Sequence, residues 1–367
     1  MTISLRFVGI FIGIAAAMLT LETRRRAVLP SPHPVMIPEC EGGTIRSLVI
    51  HYVRGDTIAL PVYRDFLPQL AADVTVHVVC PDVAAFVEMS AIVGPTKCRL
   101  APMTTGHEMT VWSRDRWAAL ADSNDASKVT LLAPREEDGS EIWPARAGDA
   151  RVAFDLTQAL PSRVTARHTG LFFDAGDLLA DEYNVFVTPS FVRKNLQRTV
   201  QTRDELQQML KDLLGRPIVM LDGRSPDHHA GMYMMAKGNH TMLVGDPSLA
   251  KALVSPESLS ADFSPATQAR FDVVAEQLES LGYNVVRIPT VIWPDQKTYF
   301  TYVNVIMDSR DGRQIVYMPI YQGAEALNDA AAKVWQNLGY QVRRVDCTSS
   351  FHDFGNLHCL VNVLERG

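Results

Sequence analysis

The sequence lacks the usual signatures of a metal-binding or nucleic-acid-binding protein. Its five cysteines include no CxxC pair, and its histidines show no HExxH or comparable metal spacing, so the common zinc patterns are absent. There is no long basic stripe with interleaved aromatic residues, and the formal net charge is −6, which argues against nucleic acid as a partner. We therefore predict neither a metal site nor a nucleic-acid interface.

The chain also lacks an apolar run of the roughly 20 residues that a membrane-spanning helix needs. Its N-terminus carries Arg6, an apolar run over residues 7–19 and a basic cluster at residues 24–26. This pattern is typical of a signal peptide, although the basic cluster is equally compatible with an uncleaved anchor. We predict a signal peptide or membrane anchor over residues 1–26 and a proline-containing linker over residues 27–46. The protein is then secreted, periplasmic or membrane-anchored.

What remains, residues 47–367, has the pattern of one mixed α/β domain. Short β-rich runs bounded by turn formers alternate with amphipathic segments that stop at glycine, as in TRDELQQMLKDLLG at residues 202–215. The heptapeptide LGYNVVR at residues 281–287 recurs as LGYQVRR at residues 338–344, an offset of 57 residues. Repeats of this length suggest modules arranged around an axis. The alternative is that helix, glycine and strand recur in any α/β protein.

Polar residues concentrate in four short segments, where we expect strands to end. They are VWSRDRW at residues 111–117, FFDAGDLL at residues 172–179, SPDHHAGMYMM at residues 225–235 and FGNLHC at residues 354–359. Each has an ordinary structural interpretation: an ion pair between tryptophans, an acidic turn, a histidine pair and a buried cysteine. Adjacent histidines on an extended chain point to opposite faces, so only one of His228 and His229 should face a site.

Cys359 allows three interpretations: a buried hydrophobic residue, a metal ligand or a nucleophile. Free cysteine is among the most buried residue types. It becomes a nucleophile only where a nearby histidine or cation favours the thiolate form. One cysteine, a histidine elsewhere in the chain and several carboxylates permit that arrangement without requiring it.

Taken together and in order, the four segments resemble the guanidine-modifying pentein superfamily, most closely its agmatine deiminase and bacterial-type peptidylarginine deiminase branch. WSRD corresponds to the family's WxRD, DAGD to its acidic-Gly-Gly-Asp/Asn turn, DHHAG to its DxHxD and FGNLHC to its GGGNxHC. YFTYVN, which ends at Asn304, resembles the family's Tyr-x-x-Asn strand. The resemblance extends over residues 47–364.

The resemblance implies a five-bladed α/β propeller with a site on its axis and no metal or organic cofactor. It implies a hydrolase that converts a guanidino group of peptidyl-arginine, agmatine or a related compound into a ureido group and ammonia. In that mechanism the Cys359 thiolate attacks the guanidinium carbon, His229 acts as acid and then base, and Asp115 holds the guanidinium. The other predicted substrate-binding residues are Trp112, Arg114, Asp177, Asp227, Asn304 and Asn356.

One departure from the family pattern concerns the substrate pocket. The second carboxylate of DxHxD is replaced by Gly231, so a charge that should hold the guanidinium is missing. Asp177 or Asp227 is a candidate to replace it. The alternatives to a deiminase are a non-catalytic pentein that binds its ligand, an amidinotransferase and, more distantly, a cysteine protease.

Overall fold

The computed structural model describes residues 34–40, 43–125, 127–137, 142–254 and 260–367. The predicted signal peptide or anchor, residues 1–26, lies outside them. Pro34–Gly367 forms one compact unit. Among the described residues, no helix is both long and apolar enough to span a membrane.

Strands and helices alternate along this unit. The strands are β1 (Val35–Met36), β2 (Ile45–His51), β3 (Thr75–Cys80), β4 (Arg99–Thr104), β5 (Ala118–Ala121), β6 (Val129–Ala133), β7 (Val164–His168), β8 (Leu178–Ala180), β9 (Val185–Val187), β10 (Ile218–Met220), β11 (Met234–Gly238), β12 (Thr241–Asp246), β13 (Asn284–Pro289), β14 (Val291–Ile292), β15 (Tyr299–Phe300), β16 (Ile306–Arg310), β17 (Arg313–Ile320), β18 (Tyr340–Asp346) and β19 (Val361–Arg366). The helices are α1 (Ala59–Phe66), α2 (Val83–Val93), α3 (Pro144–Ala159), α4 (Pro189–Asn195), α5 (Arg203–Leu214), α6 (Pro247–Lys251), α7 (Pro265–Ser280), α8 (Glu325–Asn337) and α9 (Leu357–Leu360).

Five small sheets in the described part of the chain share one pattern. In each, a first strand pairs antiparallel with a second, and one or two helices then lead to a third strand that pairs parallel with the second, as a parallel connection requires. The five modules are β5-β6-α3-β7, β8-β9-α4-α5-β10, β11-β12-α6-α7-β13, β16-β17-α8-β18 and β19-β2-α1-β3. The fifth module joins the two ends of the unit, because β19 pairs with β2.

The repeat seen in the sequence marks equivalent positions in two modules. Gly282 and Gly339 follow α7 and α8, both with positive φ of 86° and 90°, and the chain then enters β13 and β18. Glycine adopts this conformation at little cost and so ends the helices there. The prediction of repeated α/β modules is confirmed.

The described part of the predicted linker belongs to the compact unit. Val35 and Met36 form β1, which pairs with β5, and Cys40 is fully buried. Glu39 is only 4% exposed although it carries a carboxylate. The prediction for this stretch was a linker. Its apolar side chains, such as Met36 and Ile37, favour burial, which explains why it packs against the first module instead.

Candidate active site

Each module places one polar residue shortly before its first strand. Asp115 precedes β5, Asp174 precedes β8, His229 precedes β11, Asn304 precedes β16 and Cys359 precedes β19. We expected these polar segments where strands end. The structure instead places them just before the first strand of each module. The segments that precede these five strands supply the five side chains.

Cys359 lies in the short helix α9 and is 4% exposed. Asn304 Nδ2 lies 3.5 Å from its Sγ atom and also donates to the carbonyl of Gly231 at 3.1 Å. Asn304 Oδ1 accepts a hydrogen bond of 2.8 Å from the amide of His358. Asn304 thus links helix α9, which carries Cys359, to the segment around Gly231 that follows His229.

His229 contacts the thiol and two carboxylates. Its Nδ1 lies 3.8 Å from Asp115 Oδ1 and its Nε2 4.0 Å from Asp174 Oδ2. Burial lowers its pKa, but the hydrogen bond with Cys359 and the nearby carboxylates outweigh burial and raise the pKa to about 9. His229 is therefore protonated at neutral pH.

His228 faces a different environment. Its ring packs edge-on against Tyr299, with 5.5 Å between ring centroids, and its Nδ1 accepts a hydrogen bond from the amide of His229. Burial, followed by the charge of His229, lowers its pKa to about 3. The structure thus places His229, and not His228, beside Cys359.

Gly176 leaves the space that His229 occupies. A β-carbon built at Gly176 would lie 2.4 Å from His229 Nδ1, which is closer than nonbonded atoms approach. The middle of the DAGD turn must therefore be glycine for the imidazole to stand where it does.

Asp115 is 6% exposed and has one paired and one unpaired oxygen. Oδ2 accepts a hydrogen bond of 2.6 Å from Arg146 Nη1, whereas Oδ1 has no hydrogen-bond partner among the described residues. Burial raises its pKa against the opposing effects of Arg146 and His229. The free oxygen faces His229, so it is available to a ligand bound beside the imidazole.

Asn356 is fully buried, and neither polar atom of its side chain has a hydrogen-bond partner within the described ranges. Leaving both atoms unpaired is costly. The main-chain carbonyl of Asn356 accepts a hydrogen bond from the main-chain amide of Cys359 at 3.1 Å. The Asn356 side chain, three residues before Cys359 in the chain, thus has unused hydrogen-bonding capacity.

Arg146, which the sequence did not single out, is the main addition to the predicted site. Its Nη1 binds Asp115 Oδ2 and its Nη2 binds Asp174 Oδ1, each at 2.6 Å. Asp174 also accepts a hydrogen bond of 2.9 Å from Lys194 Nζ. Cations of the chain itself therefore pair with the carboxylates around His229.

Several predicted substrate-binding residues have other partners. The Asp177 carboxylate accepts hydrogen bonds of 2.8 Å from both Lys194 and Thr188. Trp112 packs on Gly355, where a β-carbon would lie 2.3 Å from the indole ring.

Two of these predictions need correction. The side chain of Asp227 is 57% exposed and pairs with Arg193 at the surface. Arg114 is buried and pairs with Glu39, because a buried guanidinium needs a counter-charge. Neither side chain is free to replace the missing carboxylate or to bind a substrate.

No family model matches the sequence, and no curated protein matches it either. Solved structures do. Agmatine deiminase of C. jejuni is 14% identical with a TM-score of 0.68, covering 94% of this chain and 99% of that one. Agmatine deiminase of Enterococcus faecalis is 14% identical with a TM-score of 0.65, covering 93% and 100%. A structure with a provisional peptidyl-arginine deiminase assignment is 15% identical with a TM-score of 0.68, covering 92% and 100%.

The chain has the pentein fold. Identities this low establish the fold alone. Within this pentein fold, the described residues contain no group of three or more His, Cys, Asp or Glu side chains that could hold a metal ion.

His358 packs beside the position where the pentein motif has its second carboxylate. A β-carbon at Gly231 would lie 3.1 Å from His358 Nδ1 and 3.4 Å from Asn304 Nδ2. His358 Nε2 in turn lies 2.9 Å from Glu39 Oε2. Burial lowers the pKa of His358, so a neutral imidazole lies where the sequence departs from its relatives.

Glu39 was not predicted to take part, because it lies in the presumed linker. Burial raises the pKa of Glu39, but the charges of Arg114 and His358 lower it by more, and the net pKa is about 2. The charged Glu39 therefore orients His358, which is the immediate neighbour of Cys359.

Proposed function

We propose that this protein is a cysteine-dependent hydrolase that converts a guanidino group into a ureido group and ammonia. The observation that carries the proposal is the meeting of Cys359, His229 and Asp115, which come from three different modules of a pentein fold. A C. jejuni agmatine deiminase variant with the same fold has been solved with its substrate bound. A small guanidino compound or an arginine-containing peptide is therefore the proposed substrate.

The proposed reaction has two halves. In the first, the Cys359 thiolate attacks the guanidinium carbon, and His229 protonates the departing nitrogen, so that ammonia leaves and an amidino thioether remains. In the second, His229 takes a proton from water, the resulting hydroxide attacks the same carbon, and the carbon–sulfur bond breaks. The ureido product leaves, and the thiol is regenerated.

The charge state of His229 supports the first half. A pKa of about 9 means that the imidazole carries a proton to donate at neutral pH. The unpaired Oδ1 of Asp115 and the unpaired amide of Asn356 supply acceptors for guanidinium N–H groups.

We also propose that the five modules form a five-bladed propeller around the site. Two observations support it: β19 pairs with β2, so the two ends of the unit are joined, and a polar residue lies shortly before the first strand of each module. In this arrangement the five positions converge on the axis.

A non-catalytic binding protein is the second candidate. It is favoured by two observations: Gly231 removes one carboxylate, and Arg146 already pairs with Asp115 and Asp174. Such a protein would bind guanidines without releasing ammonia. An amidinotransferase would release ureido product poorly and would need an acceptor amine.

The test is to measure ammonia and ureido product from agmatine, free arginine and an arginine peptide, using the full chain. We expect turnover of at least one guanidine, and its loss in Cys359→Ala and His229→Gln. Cys98→Ala is the matched control, because Cys98 is also a buried cysteine but its thiol contacts the carbonyl of Leu67 and not the candidate site. Absence of turnover with every guanidine would contradict the hydrolase and leave the binding protein.

We further propose that the chain is exported or tethered through residues 1–26, on the evidence of the apolar run that follows Arg6. Cell fractionation with mass determination of the N-terminus tests this. Recovery of the unprocessed chain in the soluble cytoplasmic fraction would contradict it.

A further inference from the structure

The guanidinium of Arg146 occupies two carboxylates of the candidate site. Its two terminal nitrogens bind Asp115 Oδ2 and Asp174 Oδ1. Those two aspartates are also the ones that face His229 from either side. An internal guanidinium thus holds the acidic groups nearest the proposed acid and base.

The position of Arg146 is fixed by helix α3. Arg146 lies in the first turn of that helix, where the helix dipole disfavours a positive charge. Gly148, two residues after Arg146, packs directly on the backbone of Glu108. A β-carbon at Gly148 would lie 1.8 Å from the carbonyl oxygen of Glu108. This close approach places the first turn, and with it Arg146, over the aspartates.

The carboxylates compensate for the unfavourable position. Besides Asp115 and Asp174, Asp149 Oδ2 lies 3.6 Å from Arg146 Nη1. Arg146 is only 15% exposed at its side chain. A planar guanidinium suits such paired carboxylates better than an ammonium does, because its N–H groups form a fixed fork.

A substrate guanidinium that enters this site meets carboxylates that are already paired. Only Oδ1 of Asp115 is without a partner among the described residues, and Lys194 pairs with the other oxygen of Asp174. Arg116 Nη1 also lies 3.4 Å from Asp174 Oδ1, so Asp174 stays paired even without Arg146. Full engagement of Asp115 by a substrate, by contrast, requires that Arg146 give up its contact with Oδ2.

We infer that Arg146 is a built-in competitor that determines how strongly the site binds guanidines. The inference rests on the proposed function in that the ligand is taken to be a guanidinium. In this role Arg146 raises the substrate concentration needed for binding. The residue does not take part in bond breaking.

The test measures binding and not turnover, so that its outcome is separate from that of the proposed hydrolysis. Calorimetry with guanidinium chloride and with agmatine is performed on the full chain carrying Cys359→Ala, with and without Arg146→Met. Removal of the internal guanidinium should lower the Kd for both ligands about tenfold. It should also lower the Tm in buffer, and millimolar guanidinium should restore the Tm.

Arg163→Met is the matched control, because Arg163 pairs with Glu365 at the surface and is 42% exposed. We expect it to leave both Kd values unchanged. If Arg146→Met does not fold, Arg146→Lys replaces it: an ammonium cannot bind both aspartates as a fork, so a smaller decrease in Kd, about threefold, is expected.

Unchanged Kd values in a folded Arg146 variant would overturn the inference, whether or not the wild type hydrolyses guanidines. A tighter Kd together with no turnover in the wild type would support the inference and contradict the hydrolase.

Discussion

Gly176 is the residue whose replacement isolates the position of His229 from its chemistry. In Gly176→Ala the added methyl group would lie 2.4 Å from His229 Nδ1, so the imidazole must move. Displacements of about 1 Å in catalytic groups cost about a hundredfold in rate. We expect kcat/KM for the guanidine substrate to fall by about that factor, measured by ammonia release.

The control for this variant is Gly170→Ala. No heavy atom lies within 4 Å of a β-carbon built at Gly170, so activity should be retained. Circular dichroism establishes that both variants are folded. Full activity in Gly176→Ala would show that the placement of His229 does not limit the reaction.

At the same scale, the sequence motif and the structure give different information about Gly231. The motif shows that a carboxylate is missing, but not what lies near the position. That depends on His358, which is distant in sequence and is held by Glu39. Similarly, the motif led to the prediction of Asp177 and not Asp174 as a substrate-binding residue, whereas the fold turns Asp174 toward His229 and Asp177 toward Thr188 and Lys194.

At the scale of elements, the segment before β2 contributes a buried charge. In Glu39→Gln the charges of Arg114 and Arg366 lose their counter-charge, because Glu39 pairs with the first and lies near the second. Breaking a buried ion pair is strongly destabilising. We expect a loss of about 3 kcal/mol in the free energy of unfolding near neutral pH, measured by urea denaturation.

The pH dependence of this effect has a defined sign. The pKa of Glu39 falls from the ordinary 4.5 to about 2 on folding, so its contribution is present above pH 4.5 and is lost as the pH falls toward about 2. The stability difference between wild type and Glu39→Gln should therefore shrink over that window. Glu365→Gln, which removes a carboxylate paired at the surface, should cost below about 1 kcal/mol. A pH-independent difference for Glu39→Gln would contradict the assignment.

Elements with strong local signals could be predicted, and those without could not. Helix α5 is capped at its N-terminus by Thr202, whose hydroxyl accepts a hydrogen bond from the amide of Glu205. Gly215 caps its C-terminus in the left-handed conformation. Both signals are visible in the sequence. The helix–strand repeats at residues 281–287 and 338–344 were likewise visible in the sequence.

Helix α3 has no comparable signal. It contains Gly148 in its interior and buries the charged Asp149, and both residues are unfavourable inside a helix. Their reasons are tertiary: Gly148 allows contact with the Glu108 backbone, and Asp149 accepts hydrogen bonds from Thr110. Arg146 was missed for this reason, since its partners become apparent only once α3 is placed.

At the scale of the whole molecule, the order of the modules assembles the site. The motifs identified Cys359, His229, Asp115 and Asn304, and the fold brings these four together from different modules. Position along the chain gave no means of telling that Asp227 lies at the surface. Which partner each side chain meets depends on contacts between modules, and a single sequence carries little information about those.

The closure of the unit also explains why Cys359 lies just before a strand that pairs with the start of the unit. β19 is the first strand of the fifth module, and its partner β2 comes from the start of the unit. The residue that this module contributes to the site must therefore come just before the last strand.

The most direct test of the central claim is to trap the covalent intermediate. The full chain is mixed with a guanidine substrate that it turns over, quenched in acid and analysed by peptide mass spectrometry. We predict an adduct on Cys359 with the mass of the substrate less ammonia, and neither adduct nor turnover in Cys359→Ala. Product formation that persists in Cys359→Ala, or an adduct confined to another cysteine, would contradict the claim that Cys359 is the nucleophile.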